Sequence, residues 1–100
     1  MFFYWDDYNV EHIAEHGIEP DDAEFVVRRA SRPYPRRTSG VKWLVRGRTR
    51  DGRMIQVIYV VRQIDEIDER NLSLEERVAV EQDESAIYVI HARPLRRGER

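Results

Sequence analysis

The stretch Ala86-Ile87-Tyr88-Val89-Ile90-His91-Ala92-Arg93-Pro94 constrains this chain more than any other. It is rich in β-branched and aromatic residues, holds no glycine and ends on a proline, which reads as a strand with a hard stop. In a regular strand Ile87, Val89 and His91 share one face, and Tyr88, Ile90 and Ala92 the other. Both faces are apolar for most of the length, so the strand is expected inside a sheet, covered on both sides. Its end delivers His91 and Arg93 to the surface, with Arg96, Arg97 and Arg100 following. A buried strand that ends in cations is a scaffold for an anion site.

Two more strand-like runs precede it, at 41–48 and 54–62. They are joined by Thr49-Arg50-Asp51-Gly52-Arg53, whose Asp-Gly pair signals a hairpin. The first alternates Val41, Trp43, Val45 with Lys42, Leu44, Arg46, as on a sheet with one wetter face. The second is nearly all apolar and is expected to lie more centrally. Upstream, residues 2–5 suit a short first strand. Asp6 or Asp7 then offers an N-cap for a helix over 8–16, with Val10, Ile13 and Ala14 as its apolar stripe and Gly17 as its C′ residue. Pro20 suits the first position of a second helix, whose buried face is Ala23, Val26, Val27 and Ala30. The prolines and glycine of 31–40 mark a loop. The result is a single α+β domain over 1–100: two N-terminal helices packed on an antiparallel sheet of about four strands. An acidic excursion at 63–85, with a short helix expected at 74–81, precedes the last strand.

Charge is strongly segregated under a net value of −2. Residues 1–24 hold eight acids and no Lys or Arg, while 25–62 hold eleven basic residues and one acid, Asp51. Residues 63–85 return to nine acids against Arg70 and Arg77. Sixteen of the seventeen cations are arginine, the side chain whose planar fork matches a phosphate, although a GC-rich genome favours arginine too. With an acidic isoelectric point, any nucleic-acid contact must come from a local basic face rather than the whole surface. The absence of cysteine excludes a disulfide framework and thiolate chemistry. No run approaches a membrane span, and the start lacks the features of a signal peptide, so a cytoplasmic location is expected.

Trp5-Asp6 precedes a helix closing on His16-Gly17-Ile18, and Glu19-Pro20-Asp21-Asp22-Ala23 opens the second helix. Gly47, Asp51-Gly52-Arg53 and Val57-Ile58-Tyr59 mark the hairpin, and Ile90-His91-Ala92-Arg93 with Glu99-Arg100 closes the series. In this order the motifs resemble those of BrnT-type toxins. His91 stands where the closing motif of that family usually has serine. The resemblance covers nearly the whole chain outside 63–85. It implies a RelE-like fold and a ribonuclease toxin of a type II toxin–antitoxin pair. The implied partner is a ribbon-helix-helix antitoxin that neutralises the toxin and alone contacts operator DNA.

Metal-independent RNA cleavage needs a base for the 2′-hydroxyl, cations for the phosphorane charge and an acid for the leaving 5′-oxygen. On this reading His16 and His91 are the candidates for proton transfer, and Arg53, Arg93 and Arg97 for charge stabilisation. Arg46, Arg48 and Arg96 are assigned to the RNA backbone, with no cofactor and no metal. His12 and His16 lie one turn apart, a spacing that can hold an ion, but no third histidine or His-Glu-x-x-His pattern accompanies them. The plainer alternatives are a histidine cation at a helix C-terminus for His16, a solvated turn residue for Arg53, and a surface cluster for His91 and Arg93. Trp43, Tyr59 and Tyr88 are expected in the core, and Tyr34, between two prolines, exposed. A second function class remains: a non-catalytic relative whose basic face binds an acidic protein partner.

Overall fold

The structure is a computed structural model that describes residues 2–63, 73–74 and 85–99. Of the helix expected at 74–81 only Leu74 is among the described residues, and most of the acidic excursion lies outside them. Helix α1 spans Asp7–Ala14, capped by Asp6: the Asn9 amide donates to Asp6 Oδ1 at 3.0 Å, and Asn9 Oδ1 accepts from the Asp6 amide at 2.8 Å. Asn9 is itself fully buried, its Nδ2 donating to the Tyr4 carbonyl at 3.2 Å, so the cap is also a core fixture. At the other end the amides of Gly17 and Ile18 reach back to the carbonyls of Ala14 and Ile13, at 3.0 and 3.2 Å. Gly17 adopts φ 73°, and Ile18 and Ile13 are both buried, which is a Schellman closure with its apolar contact.

Helix α2 spans Pro20–Arg28, with proline in its first turn and Asp22 Oδ2 accepting from the Glu19 amide at 3.0 Å. Its buried face is Ala23, Val26 and Val27, as the periodicity requires. Four antiparallel strands follow in the spatial order β1-β2-β3-β4. They are β1 at Arg36–Arg37, β2 at Trp43–Arg48, β3 at Met54–Gln63 and β4 at Ser85–Pro94. The expected hairpin joins β2 to β3, with Gly52 at φ 91° and the Thr49 amide donating to the Arg53 carbonyl at 2.8 Å. Two differences stand at its margins. Val41, expected in the strand, is exposed outside it, and the proline loop contributes the two-residue strand β1.

The last strand departs from expectation in two ways. It lies at the end of the ladder, not inside it, and its outer edge is covered by the N-terminal segment. The Tyr4 amide donates to the Ile87 carbonyl at 2.9 Å and the Ile87 amide to the Phe2 carbonyl at 2.8 Å, a parallel bridge in place of a full first strand. Second, the register with β3 slips: Ile58 pairs His91, but Tyr59 pairs Val89, leaving Ile90 as an extra residue. Side-chain parity reverses there. Ile87, Val89 and Ala92 join the core with Ile13, Val45 and Val57, while His91 leaves the face it would share with Val89 in a regular strand.

Helix α2 packs on β2 and β3 and helix α1 against β4, and the apolar layer they enclose with the sheet is the core. Gly47 packs closely against it: a Cβ there would stand 3.2 Å from Val26 Cγ1, so the valine would have to give by a few tenths of an ångström. No helix among the described residues is long and apolar enough to cross a membrane. Truncating Ile13, which is fully buried, should cost about 3 kcal/mol. Tyr8→Ala, at a side chain 71% exposed, should cost less than about 0.5 kcal/mol. Urea unfolding of the two variants checks both values, and equal losses would contradict the assigned core.

Candidate functional site

Two groups of polar side chains meet along β4. The first is a cluster of three histidines. Helix α1 carries His12, the turn that closes it carries His16, and the bulge in β4 turns His91 toward them. The ring of His91 lies 5.4 Å from that of His16, edge to face, and 5.7 Å from that of His12. Tyr8 stacks on His12 at 6.0 Å, its ring nearly parallel. Burial lowers the His91 pKa below its ordinary 6.5, and the charges of His16, His12 and Arg93 push in the same direction. At neutral pH His91 is therefore a neutral imidazole, able to accept a proton. Among the described residues no three His, Asp or Glu side chains converge as an ion would require, these histidines included.

The second group sits on the sheet face away from the core cluster. Arg46, Gln56 and Arg93 are opposite one another across β2, β3 and β4. Arg46 Nε donates to Gln56 Oε1 at 2.9 Å. Glu99 lies over this row, its two carboxylate oxygens each accepting from an Arg93 Nη at 2.8 Å, with Arg46 Nη2 at 3.6 Å. It is returned by the turn Arg96-Arg97-Gly98-Glu99, closed by a 3.1 Å bond from the Glu99 amide to the Arg96 carbonyl. Gly98 takes φ 89° there, a conformation that favours glycine. Arg93, then the Arg96 amide, hold the Glu99 carboxyl down to about 2. His91 and Arg93 are two apart on one strand past the bulge, so they share this face.

The residues singled out from the sequence therefore divide. His16 and His91 come together, and His12, read as solvent-facing, joins them half-buried. Arg46, Arg48, Arg96 and Arg97 line a groove of about 590 Å³ with Tyr34 and Leu95, beside Arg93 and Glu99. Tyr34 is half-buried there rather than exposed, under the guanidinium of Arg36 at 5.7 Å. Arg53 belongs to neither group. Its Nη1 donates to the Gly17 carbonyl at 2.9 Å, its Nη2 to Asp22 at 3.0 Å and its Nε to Asp51 at 3.1 Å, so it pins the α1–α2 turn to the hairpin. Sequence reasoning missed Gln56 and the role of Glu99; the only signal was that both fall near arginines in the strand register and the tail. Comparison with protein-family models, curated proteins and solved structures finds no match to this chain.

The histidine cluster carries a pH dependence of stability. With its folded pKa below 6.5, His91 favours the neutral form, so the unfolded chain takes up this proton first as pH falls. That contribution is present above pH 6.5 and is lost as the solution is acidified through the lowered folded value. The urea midpoint should fall between pH 7.5 and 5.5, and His91→Gln should flatten that slope; an unchanged slope would remove His91 as its source.

Proposed function

We propose that this chain is the ribonuclease toxin of a type II toxin–antitoxin pair, resembling BrnT, with a RelE-like fold. The supporting observation is the 5.4 Å approach of His91 and His16, two residues 75 positions apart, beside a row of arginines. In this reading neutral His91 takes the proton of the RNA 2′-hydroxyl, and the 2′-oxygen attacks the adjacent phosphorus. His16 serves as the acid that gives a proton to the departing 5′-oxygen, leaving a 2′,3′-cyclic phosphate and a 5′-hydroxyl. Arg93 and Arg97 stabilise the negative charge that builds on the phosphorane, and Arg46, Arg48 and Arg96 hold the RNA backbone. Arg53 orients the turn that carries His16 through the neighbouring Gly17 carbonyl, a positioning part rather than a phosphate contact.

The test is cleavage of single-stranded RNA by purified protein in the presence of EDTA. His91→Ala should lower the rate by about two orders of magnitude with little change in thermal midpoint. Activity of the intact protein should fall as pH drops below 6.5, because the base becomes protonated. Expression without a partner should arrest growth.

A second reading, a non-catalytic module that binds an acidic protein, draws support from the internal engagement of Arg53 and Arg93 by carboxylates. Protein that neither cuts RNA nor arrests growth would favour that reading over the first. Either partner, a ribbon-helix-helix antitoxin included, must face the cationic residues of 25–62. Its association rate should therefore fall steeply between low and physiological salt in stopped-flow measurements. A rate indifferent to salt would exclude an electrostatic encounter.

A further inference from the structure

The Glu99 carboxylate lies where an external anion would be expected. Arg93 offers it both Nη groups at 2.8 Å, Arg46 stands 3.6 Å away, and the Arg96 amide donates to Oε1 at 2.5 Å. Two parallel N–H donors spaced for a carboxylate are also spaced for two non-bridging phosphate oxygens. The side chains of Arg93 and Arg46 keep only 16% and 18% of their accessibility, so the cradle is half enclosed and its field is poorly screened. A groove lined by Tyr34, Arg48, Arg96 and Arg97 opens beside it, cationic and with one aromatic face.

We infer that Arg46, Arg93 and the Arg96 amide form a binding site for a phosphate ester, which Glu99 fills from within the chain until an RNA phosphate displaces it. The inference rests on the ribonuclease reading only for the polymer that carries the phosphate. Glu99 is carried by the turn over Arg96, Arg97 and Gly98, and it is not part of the apolar core cluster. It competes as a tethered ligand, at an effective concentration on the order of millimolar. The occupant is a phosphorylated nucleotide unit: its phosphate replaces the carboxylate, and its base extends along the groove to stack on Tyr34. The same tether sets a threshold, because a weakly held phosphate fails to open the site and a strand gripped at several positions succeeds.

The experiment follows the Arg93 side-chain and Arg96 amide signals by NMR while inorganic phosphate, then adenosine 5′-monophosphate, is added to the full chain. Glu99→Gln should bind phosphate about tenfold more tightly than the wild type, the gain expected from removing a charged competitor. Adding Arg93→Ala to that variant should abolish the response, and the nucleotide should bind more tightly than phosphate if Tyr34 contributes. A folded Glu99→Gln protein whose Arg93 signal ignores phosphate would overturn the site. Equal affinity in wild type and variant would overturn the displacement by Glu99. Should Glu99→Gln unfold, the wild type decides: phosphate at tens of millimolar must shift the Arg93 and Glu99 signals together, and no shift overturns the inference. Phosphate binding by a protein that cuts no RNA would support the anion site and remove the ribonuclease reading alone.

Discussion

The antiparallel pairing of β3 with β4, interrupted by one extra residue at Ile90, decides which side chains of the last strand are inside. A strand alternates its side chains with a period of two, so one inserted residue exchanges the faces beyond it. Val89 lies opposite Tyr59 in the core, and beyond the insertion Ala92 lies opposite Val57 in the same core. Without the insertion His91 would fall opposite Val57, and Arg93 would follow it into an apolar layer. Placing a guanidinium there without a partner would cost several kcal/mol. The bulge thus keeps the core apolar and, by the same displacement, assembles the histidines and presents Arg93 to Glu99.

The cluster depends equally on where α1 is held. Two polar contacts, one toward each end of that helix, do this. Tyr88 donates its hydroxyl to Asp6, the cap residue, with oxygen distances of 3.0 and 3.1 Å, and burial and that carboxylate raise its pKa to about 12. The phenol therefore keeps its proton at every physiological pH, and the contact remains a hydrogen bond rather than a repulsion. Beyond the other end, Arg53 grips the Gly17 carbonyl and Asp22 together. The charge segregation of the sequence finds its use here: the acidic first segment supplies acceptors for cations and hydroxyls of the sheet, as Trp5 Nε1 also finds Glu24 at 2.9 Å.

Local chemistry made much of this readable. Asp51-Gly52 marks the hairpin because a tight turn needs a positive φ, and Gly17 and Pro20 punctuate the helices for equally local reasons. The alternation and spacing of apolar residues indicate two helices against an antiparallel sheet. What was hidden is non-local. Ile90 is as strand-like as its neighbours, so nothing in the sequence announces the bulge, and with it went the meeting of His91 with His12 and His16. The place of β4 at the end of the ladder was equally hidden, because residues 2–4 and α1 cover it as a neighbouring strand would. Gly98 is equally silent in the sequence; in the structure it belongs to the turn that sends Glu99 back to Arg93.

The opposite border of the sheet is β1, only two residues long, and both are arginines. Their guanidiniums lie 5.7 Å from the Tyr34 ring and 5.1 Å from the Trp43 ring, so each shields an aromatic surface with a positive charge. Open borders of sheets invite further strands, and shortness together with charge discourages them. Two copies meeting along this border would bring four like charges into contact and find scarcely two residues of ladder to share. Fibril-like stacking from this side is therefore disfavoured even in a crowded cell, and the chain's aromatic flank survives as a surface available to something other than itself.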